Sequence, residues 1–286
     1  MNLFDLLVTE ALKNQAHLSP LRIVIEKELL HHDILRILSQ NYLLQNLTFI
    51  GGTCLRACYG GIRLSEDLDF TGGEDFSRDS LKTMGDILTA DLNEKYSLHV
   101  KVDQPVKDIS NVDTWKIKIE TRPQQKHLPA QRINIDICAL ASYEKQAMML
   151  LNPYGVDMGT YGLILQAQSR EEIYTDKLLA FALRNRVKHR DLWDIVWLHQ
   201  QGIKANYKLI PYKLEARKLT QEYFLQRFTM RCQSLTTDTN LPLEFKKEMQ
   251  RFLPADQMRI VEQNNLWSFI VYLLGDLLRQ IIFHNE

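Results

Sequence analysis

The sequence predicts an α+β chain in which strands and helices mix up to about residue 165 and helices alone follow from about 166 to 286. Three observations predict it. Period-two alternation over 99–106, 113–120 and 132–139 marks strands, the pattern from about Arg170 onward is almost wholly helical, and Asn152-Pro153-Tyr154-Gly155 supplies a turn between the two regimes. Ser19-Pro20 reads as an N-cap and N1 proline opening a long helix to about Leu44, with a shorter helix before it. Phe49-Ile50 reads as the end of a buried strand, Gly51-Gly52 as a tight turn, and Leu68 and Phe70 as apolar residues interleaved with Asp67 and Asp69. Ser80 to Tyr96 has helical periodicity. In "TWKIKIE", Trp115, Ile117 and Ile119 share one face while Lys116, Lys118 and Glu120 share the other, as a sheet half covered by helices requires. The later helices are expected at 170–185, 189–200, 211–233, 242–252 and 256–283.

Composition narrows the class without naming a function. The chain has 286 residues, 45% of them apolar, which is enough for a substantial core. With 35 basic and 35 acidic residues, no overall field forces a nucleic-acid partner, although a local basic patch remains compatible with the balance. Cys54, Cys58, Cys138 and Cys232 show neither a CxxC pair nor zinc spacing, which suits reduced thiols in a cytoplasmic protein. Met1 is followed by no basic n-region, so no signal peptide is expected. The apolar run Leu266 to Phe283 is interrupted by Asp276 and Arg279, and no membrane span is expected.

The stretch that suggests chemistry is "FIGGTCLRACYGGIRLSEDLDF", residues 49–70. Residues two apart on a strand point the same way, so Asp67 and Asp69 stand on one face with Leu68 and Phe70 packed beneath. Two adjacent carboxylates repel unless a cation lies between them or one is protonated, and an oxygen-only pair suits Mg²⁺ or Mn²⁺ better than zinc. Asp136, between Ile135 and Ile137, is a third acid of the same kind. Were its strand a neighbour, the three would form the metal-holding set of a two-ion phosphoryl transfer. Asp67 and Asp69 would then bridge both ions, and Asp136 would hold the nucleophile-side ion or take the proton. Gly51 and Gly52 would let a phosphate chain approach the backbone, and Thr53 would offer a hydroxyl at a helix N-terminus. Singly, a glycine pair is most often a turn and a DxD most often a solvated pair.

"GGTCLRACYGGIRLSEDLDF" resembles the signature of the AbiEii/AbiGii toxin family, a branch of the polymerase-β-like nucleotidyltransferases related to the MenT toxins. Its members read close to GGTALR, a short aliphatic and glycine stretch, then R-[FL]-S-x-DLDF. A second block, "EEIYTDKLLAFALRNRVKHRDLWDIVWL", resembles the family's later lysine and R-D-[LI]-[YW]-D-[LI] pattern. The sequence departs at Cys54, where the family often has alanine, and at Arg56-Ala57-Cys58, where bulky aliphatics more often follow the arginine. The resemblance implies a nucleotidyltransferase domain over 1–165, a mixed sheet flanked by helices, and an all-helical C-terminal domain over 166–286. It implies a magnesium-dependent toxin that moves a nucleotide from an NTP to an acceptor hydroxyl. Some relatives use the tRNA 3′ end, in toxin-antitoxin or phage-defence loci whose usual companion is a separately encoded winged helix-turn-helix antitoxin.

Lys177 and Arg184 share a helical face within an apolar stripe, and a cation there needs an anion. Lys177 is expected against the phosphates, with Asp191 and Asp194 orienting it or positioning the acceptor. The alternative is a structural network of Lys177, Arg184, Arg190 and both aspartates. For Lys177 and Asp191 the resemblance favours a functional role. Arg56 and Arg63 match family arginines and would reach phosphates or else pair with Glu66 or an aspartate, while Ser65 caps or turns the chain into the acidic strand beside the nucleotide. The basic runs 184–190 and 121–132 would hold an RNA backbone or simply face solvent. His31-His32-Asp33 is not expected to bind metal, because adjacent histidines on a helix diverge. Trp193, Trp197 and Trp267 are expected in the core. The competing functions are transfer to a small molecule or protein, and sequestration of RNA or a partner without catalysis.

Overall fold

Helices and a single mixed sheet account for most of the chain in the structure, a computed structural model that describes residues 2–105, 111–124, 129–263 and 265–284. Val106, at the end of an expected strand, and Gln125 to Leu128, within the basic 121–132 stretch, lie outside the described residues. Two compact units form, Met1–Gln168 and Ser169–Glu286.

The first unit contains helices α1 (Leu3–Asn14), α2 (Arg22–Gln40), α3 (Gly51–Tyr59) and α4 (Met84–Tyr96). Its strands are β1 (Thr48–Ile50), β2 (Leu68–Thr71), β3 (Val100–Asp103), β4 (Val112–Ile119), β5 (Gln131–Cys138), β6 (Lys145–Met149) and β7 (Ile164–Gln168). They join in the order β3-β4-β5-β2-β1-β7-β6. The pairs β2/β5 and β1/β7 are parallel and the rest antiparallel. Alternation sorts the faces as the sequence predicts. Trp115, Ile117 and Ile119 on β4, Ile133, Ile135 and Ile137 on β5, and Leu68 and Phe70 on β2 are all buried, with α2 and α4 packed against β5 and β3. Each such side chain contributes about 1.5–3 kcal/mol by leaving water. Asp69, Asp136 and Thr114 share the opposite face, through the register Asp69↔Asp136 and Asp136↔Thr114.

Three local differences from the sequence reading have identifiable causes. Pro20 lies inside a 3₁₀ turn, Ala16–Leu21, and the Ser19 hydroxyl donates to the Ala16 carbonyl at 2.8 Å instead of capping. The long helix therefore begins at Arg22. It ends at Gln40, where Tyr42 takes φ 59° and Leu43 N–H closes on the Leu38 carbonyl at 2.9 Å, a left-handed stop. Strands β6 and β7 were not anticipated, because each is only five residues long and the apolar residues of "KQAMM" are consecutive instead of alternating.

The second unit is helical: α5 (Arg170–Leu183), α6 (His189–Gln200), α7 (Ile210–Glu215), α8 (Gln221–Thr237), α9 (Leu241–Met249), α10 (Ala255–Glu262) and α11 (Asn265–His284). Ser169 starts α5 by accepting from Glu172 N–H at 3.0 Å, an S-x-x-E start signal. The helix expected at 211–233 is two, because Lys218 takes φ 57° and Thr220 caps a new start by accepting from Tyr223 N–H. By length and composition α11 is apolar enough to cross a membrane despite Asp276 and Arg279, contrary to the expectation from those charges. Its buried residues, Leu266, Ile270, Leu273, Leu274, Leu277 and Ile281, form one stripe against α8 and α6, the pattern of a helix packed within a domain. Trp193 and Trp197 are in the core, while Trp267 is half-buried with its indole N–H donating to the Leu235 carbonyl.

Candidate active site

The centre of the first unit is assembled from the end of β1, the start of α3, and the facing carboxylates of β2 and β5. Gly51, the first residue of α3, has φ +77°, and a Cβ placed on it would lie 2.8 Å from Asp69 Oδ2. Only glycine accommodates both the left-handed backbone and that approach. The cap residue Ile50 supplies no side-chain acceptor to the first amides of α3, and Gly52 follows at the same helix start. This end of a helix favours anions.

The acids occupy adjoining strands. Asp69 is opposite Asp136 in the parallel β2/β5 register, and Asp67 comes one residue before β2. Asp67 Oδ1 accepts from the Asn134 N–H at 3.0 Å, and Asp136 Oδ1 accepts from the Thr114 hydroxyl at 2.6 Å. All three are half-buried. Among the described residues no three His, Cys, Asp or Glu side chains stand as close as ligands on one ion do. The set nevertheless suits Mg²⁺ or Mn²⁺ by the type of its donors. Its donors are all carboxylate oxygens, two on directly paired residues, and the Gly51 backbone leaves room beside Asp69 that a Cβ would fill.

Three side chains expected against the nucleotide are directed inward instead. The Thr53 hydroxyl donates to the Asp67 carbonyl and receives the Ser65 hydroxyl at 2.6 Å, and both residues are buried. They fix the backbone that presents Asp67. Arg56 donates from Nε to Glu28 Oε2 at 3.1 Å, from Nη1 to the Gly61 carbonyl at 3.0 Å and from Nη2 to the Tyr154 hydroxyl at 3.4 Å. Burial opposes the guanidinium charge, but Glu28 outweighs it and raises the Arg56 pKa. Arg63 is likewise buried, with Nη1 donating to the Leu64 carbonyl.

Glu28 is the residue that the sequence reading missed. Its Oε1 accepts from Ser65 N–H at 2.8 Å, and its Oε2 accepts from Arg56 and from the Tyr154 hydroxyl. Burial first, and then Glu28, push the Tyr154 pKa well up, so the phenol stays a donor. From the same helix, Lys27 pairs with Glu66 at 2.8 Å, and His31 Nε2 donates to the Glu66 carbonyl at 3.0 Å. That bond fixes the neutral tautomer, leaving His31 Nδ1 buried without a hydrogen-bond partner. Burial lowers the pKa of His31 to about 4, and that of His32 likewise. His32 Nδ1 meets Thr160 Oγ1 at 2.9 Å, so the two rings diverge. A glutamate between Ile25 and Leu29 in an apolar helix was the available signal for a buried partner.

In the second unit, Lys177 Nζ is held between Asp191 Oδ1 at 2.7 Å and Asp194 Oδ2 at 2.8 Å, and Arg184 pairs with the other Asp191 oxygen. Burial alone would raise the Asp191 pKa, but Lys177 and then Arg184 hold it below the ordinary carboxylate range. Arg190 pairs with Glu248 at 3.2 Å. A second buried pair, Lys213 with Glu172 at 2.7 Å, had no counterpart in the sequence reading.

The model of the family described as "Nucleotidyl transferase AbiEii toxin, Type IV TA system" matches residues 33–269. No curated protein sequence matches the chain. Among solved structures, the fold is similar to that of MenT4, nucleotidyltransferase toxin Rv2826c from Mycobacterium tuberculosis H37Rv. The TM-score is 0.52 at 15% identity, covering 96% of this chain and 98% of that one. JHP933 from Helicobacter pylori matches at TM-score 0.48 and 15% identity, over 90% of this chain and 94% of that one. A putative nucleotidyltransferase from H. pylori matches at 0.47 and 17%, over 89% and 98%. The family match takes in the acidic strand, Asp136 and the Lys177 cluster together, and the chain belongs to the AbiEii nucleotidyltransferase toxin family of type IV toxin-antitoxin systems.

Proposed function

We propose that this toxin transfers a nucleoside monophosphate from an NTP to an acceptor hydroxyl, the 3′ end of tRNA, and so blocks translation. The observation that carries the reading is the pairing of Asp69 with Asp136 directly beside the Gly51 backbone. Mg²⁺ held by Asp67, Asp69 and Asp136 would supply charge neutralisation and a lowered acceptor pKa. The acceptor oxygen forms a bond to the α-phosphorus, the bond from that phosphorus to the bridging oxygen breaks, pyrophosphate leaves, and Asp136 takes the hydroxyl proton. The amides at Gly51 and Gly52 receive phosphate oxygens. Thr53, Ser65 and Arg56 act indirectly by holding α3 and Asp67 in place. We assign Lys177, held between Asp191 and Asp194, a further part in the transfer. Membership of a type IV toxin-antitoxin family implies a cognate antitoxin. We assign it as a separately encoded winged helix-turn-helix repressor in a phage-defence locus, with the toxin acting in the cytoplasm, away from membranes.

The test incubates purified protein with each labelled NTP, Mg²⁺ and, separately, bulk tRNA, lysate protein and small-molecule fractions. Label is expected in tRNA, and Asp69→Asn should lower transfer by at least about a hundredfold. Label entering only protein or small molecules would replace the acceptor assignment. Growth arrest that persists undiminished in the Asp69→Asn variant would replace catalysis with sequestration.

A further inference from the structure

The face that carries the acids also carries a cation array to which the transfer chemistry gives no task. Strand pairing arranges this face in rows. Asp69, Asp136 and Thr114 make the first, Asn134, Lys116 and Asp103 the next, and Arg132, Lys118 and Lys101 the third. Successive rows are two residues apart along each strand, so the third lies about 13–14 Å from the first. Within it, Lys118 is directly opposite Lys101 on one side and Arg132 on the other. Directly opposed like charges destabilise a sheet. Asp103 relieves Lys101 through a 2.7 Å ion pair and attracts Lys116 and Lys118 at longer range, whereas the exposed side chains of Lys116, Lys118 and Arg132 make no hydrogen bond or close ion pair to another described residue. A chain with 35 charges of each sign has acids enough to alternate along these strands.

We propose that Lys101, Lys116, Lys118 and Arg132 form a docking surface for the phosphate backbone of a polynucleotide whose end reaches the Asp69/Asp136 row. The inference rests on the reading of that row as the transfer site. The occupant is a polynucleotide and not an acidic protein because the rows run from cations to acids through Asn134 and Lys116, and none of the positions in these three rows carries an aromatic or aliphatic side chain of the kind a protein interface needs at its centre.

The test measures anisotropy of a fluorescein-labelled single-stranded RNA oligonucleotide with the full chain, across salt, for the wild type and for Lys118→Ala/Arg132→Ala. Each lost phosphate contact lowers the salt slope by about 0.7, so between about 50 and about 200 mM salt the wild type should lose about sevenfold more affinity than the double variant. Lys118→Gln/Arg132→Gln, checked for folding by circular dichroism, should repeat the result. Equal salt slopes in wild type and variants overturn the proposal. So does the same reduction in the charge-matched control Lys13→Ala/Lys82→Ala, which would show that only net charge matters. Absence of RNA binding by the wild type also overturns it. Labelled transfer to a non-RNA acceptor, abolished by Asp69→Asn, would in that case leave the transferase reading standing.

Discussion

Gly51→Ala separates a catalytic role for the Gly51–Asp69 approach from a purely structural one. The new methyl meets two penalties. At φ +77° an L-residue costs about 1–2 kcal/mol. Its Cβ also starts 2.8 Å from Asp69 Oδ2, against the 3.4 Å or more of ordinary contact, so the carboxylate must retreat by roughly half an ångström or more. The far end of an aspartate can swing aside, and the expected loss in folding stability, read from urea unfolding, is therefore only about 1–2 kcal/mol. Activity should respond far more, because misplacement of a reacting group by about 1 Å can cost on the order of a hundredfold. Single-turnover transfer from labelled NTP at saturating acceptor measures this loss, with Asp69→Asn as the floor. A stable Gly51→Ala protein that transfers at the wild-type rate would refute the idea that the carboxylate works from the position it occupies over the glycine.

Two further predictions follow from the buried charges. The folded-state pKa of His31 is about 4, below its unfolded value near 6.5, so the unfolded chain binds more protons between these values. Stability should be flat above about pH 6.5 and fall toward pH 4 by up to about 1.4 kcal/mol per pH unit per ring, with the sign following from proton uptake on unfolding. Among the charged and titratable neighbours of His31, Glu28 raises its pKa, while His32 and Lys27 lower it. His31→Gln should lessen the slope of the urea midpoint between pH 7 and about pH 5, with His32 supplying what is left, and an unchanged slope would remove His31 from this linkage. Lys177→Met removes the cation shared by Asp191 and Asp194, leaving Arg184 on Asp191, and should cost about 3–5 kcal/mol. A variant still folded in the cold that transfers normally would show the cluster to be structural only.

The acids were legible because their signal is local: alternation on a short strand, preceded by a glycine turn and one short helix. That Asp136 stands opposite Asp69 was conditional in the sequence, since parallel neighbours need not be near in the chain. The orientations of Thr53, Ser65 and Arg56 were not legible. Their polarity suggested a ligand, but Arg56 meets Glu28 on α2 and Tyr154, the Ser65 N–H meets Glu28, and Thr53 meets Ser65 and the Asp67 carbonyl, and periodicity reports which face is apolar without saying what a buried polar group will meet. The breaks at Lys218 and Tyr42 escaped for a related reason, as neither is the glycine that usually marks a left-handed stop.

The Glu28 carboxylate on α2 ties down three other pieces of chain, α3 through Arg56, the run into β2 through the Ser65 N–H, and the loop at Tyr154. Pulling on any of them pulls on the others, so the helix start and the acidic strand behave mechanically as one part. If the proposed site is the one used, an incoming nucleotide would meet a frame aligned when the chain folded, and little of its binding energy would be diverted into assembling the groups around it.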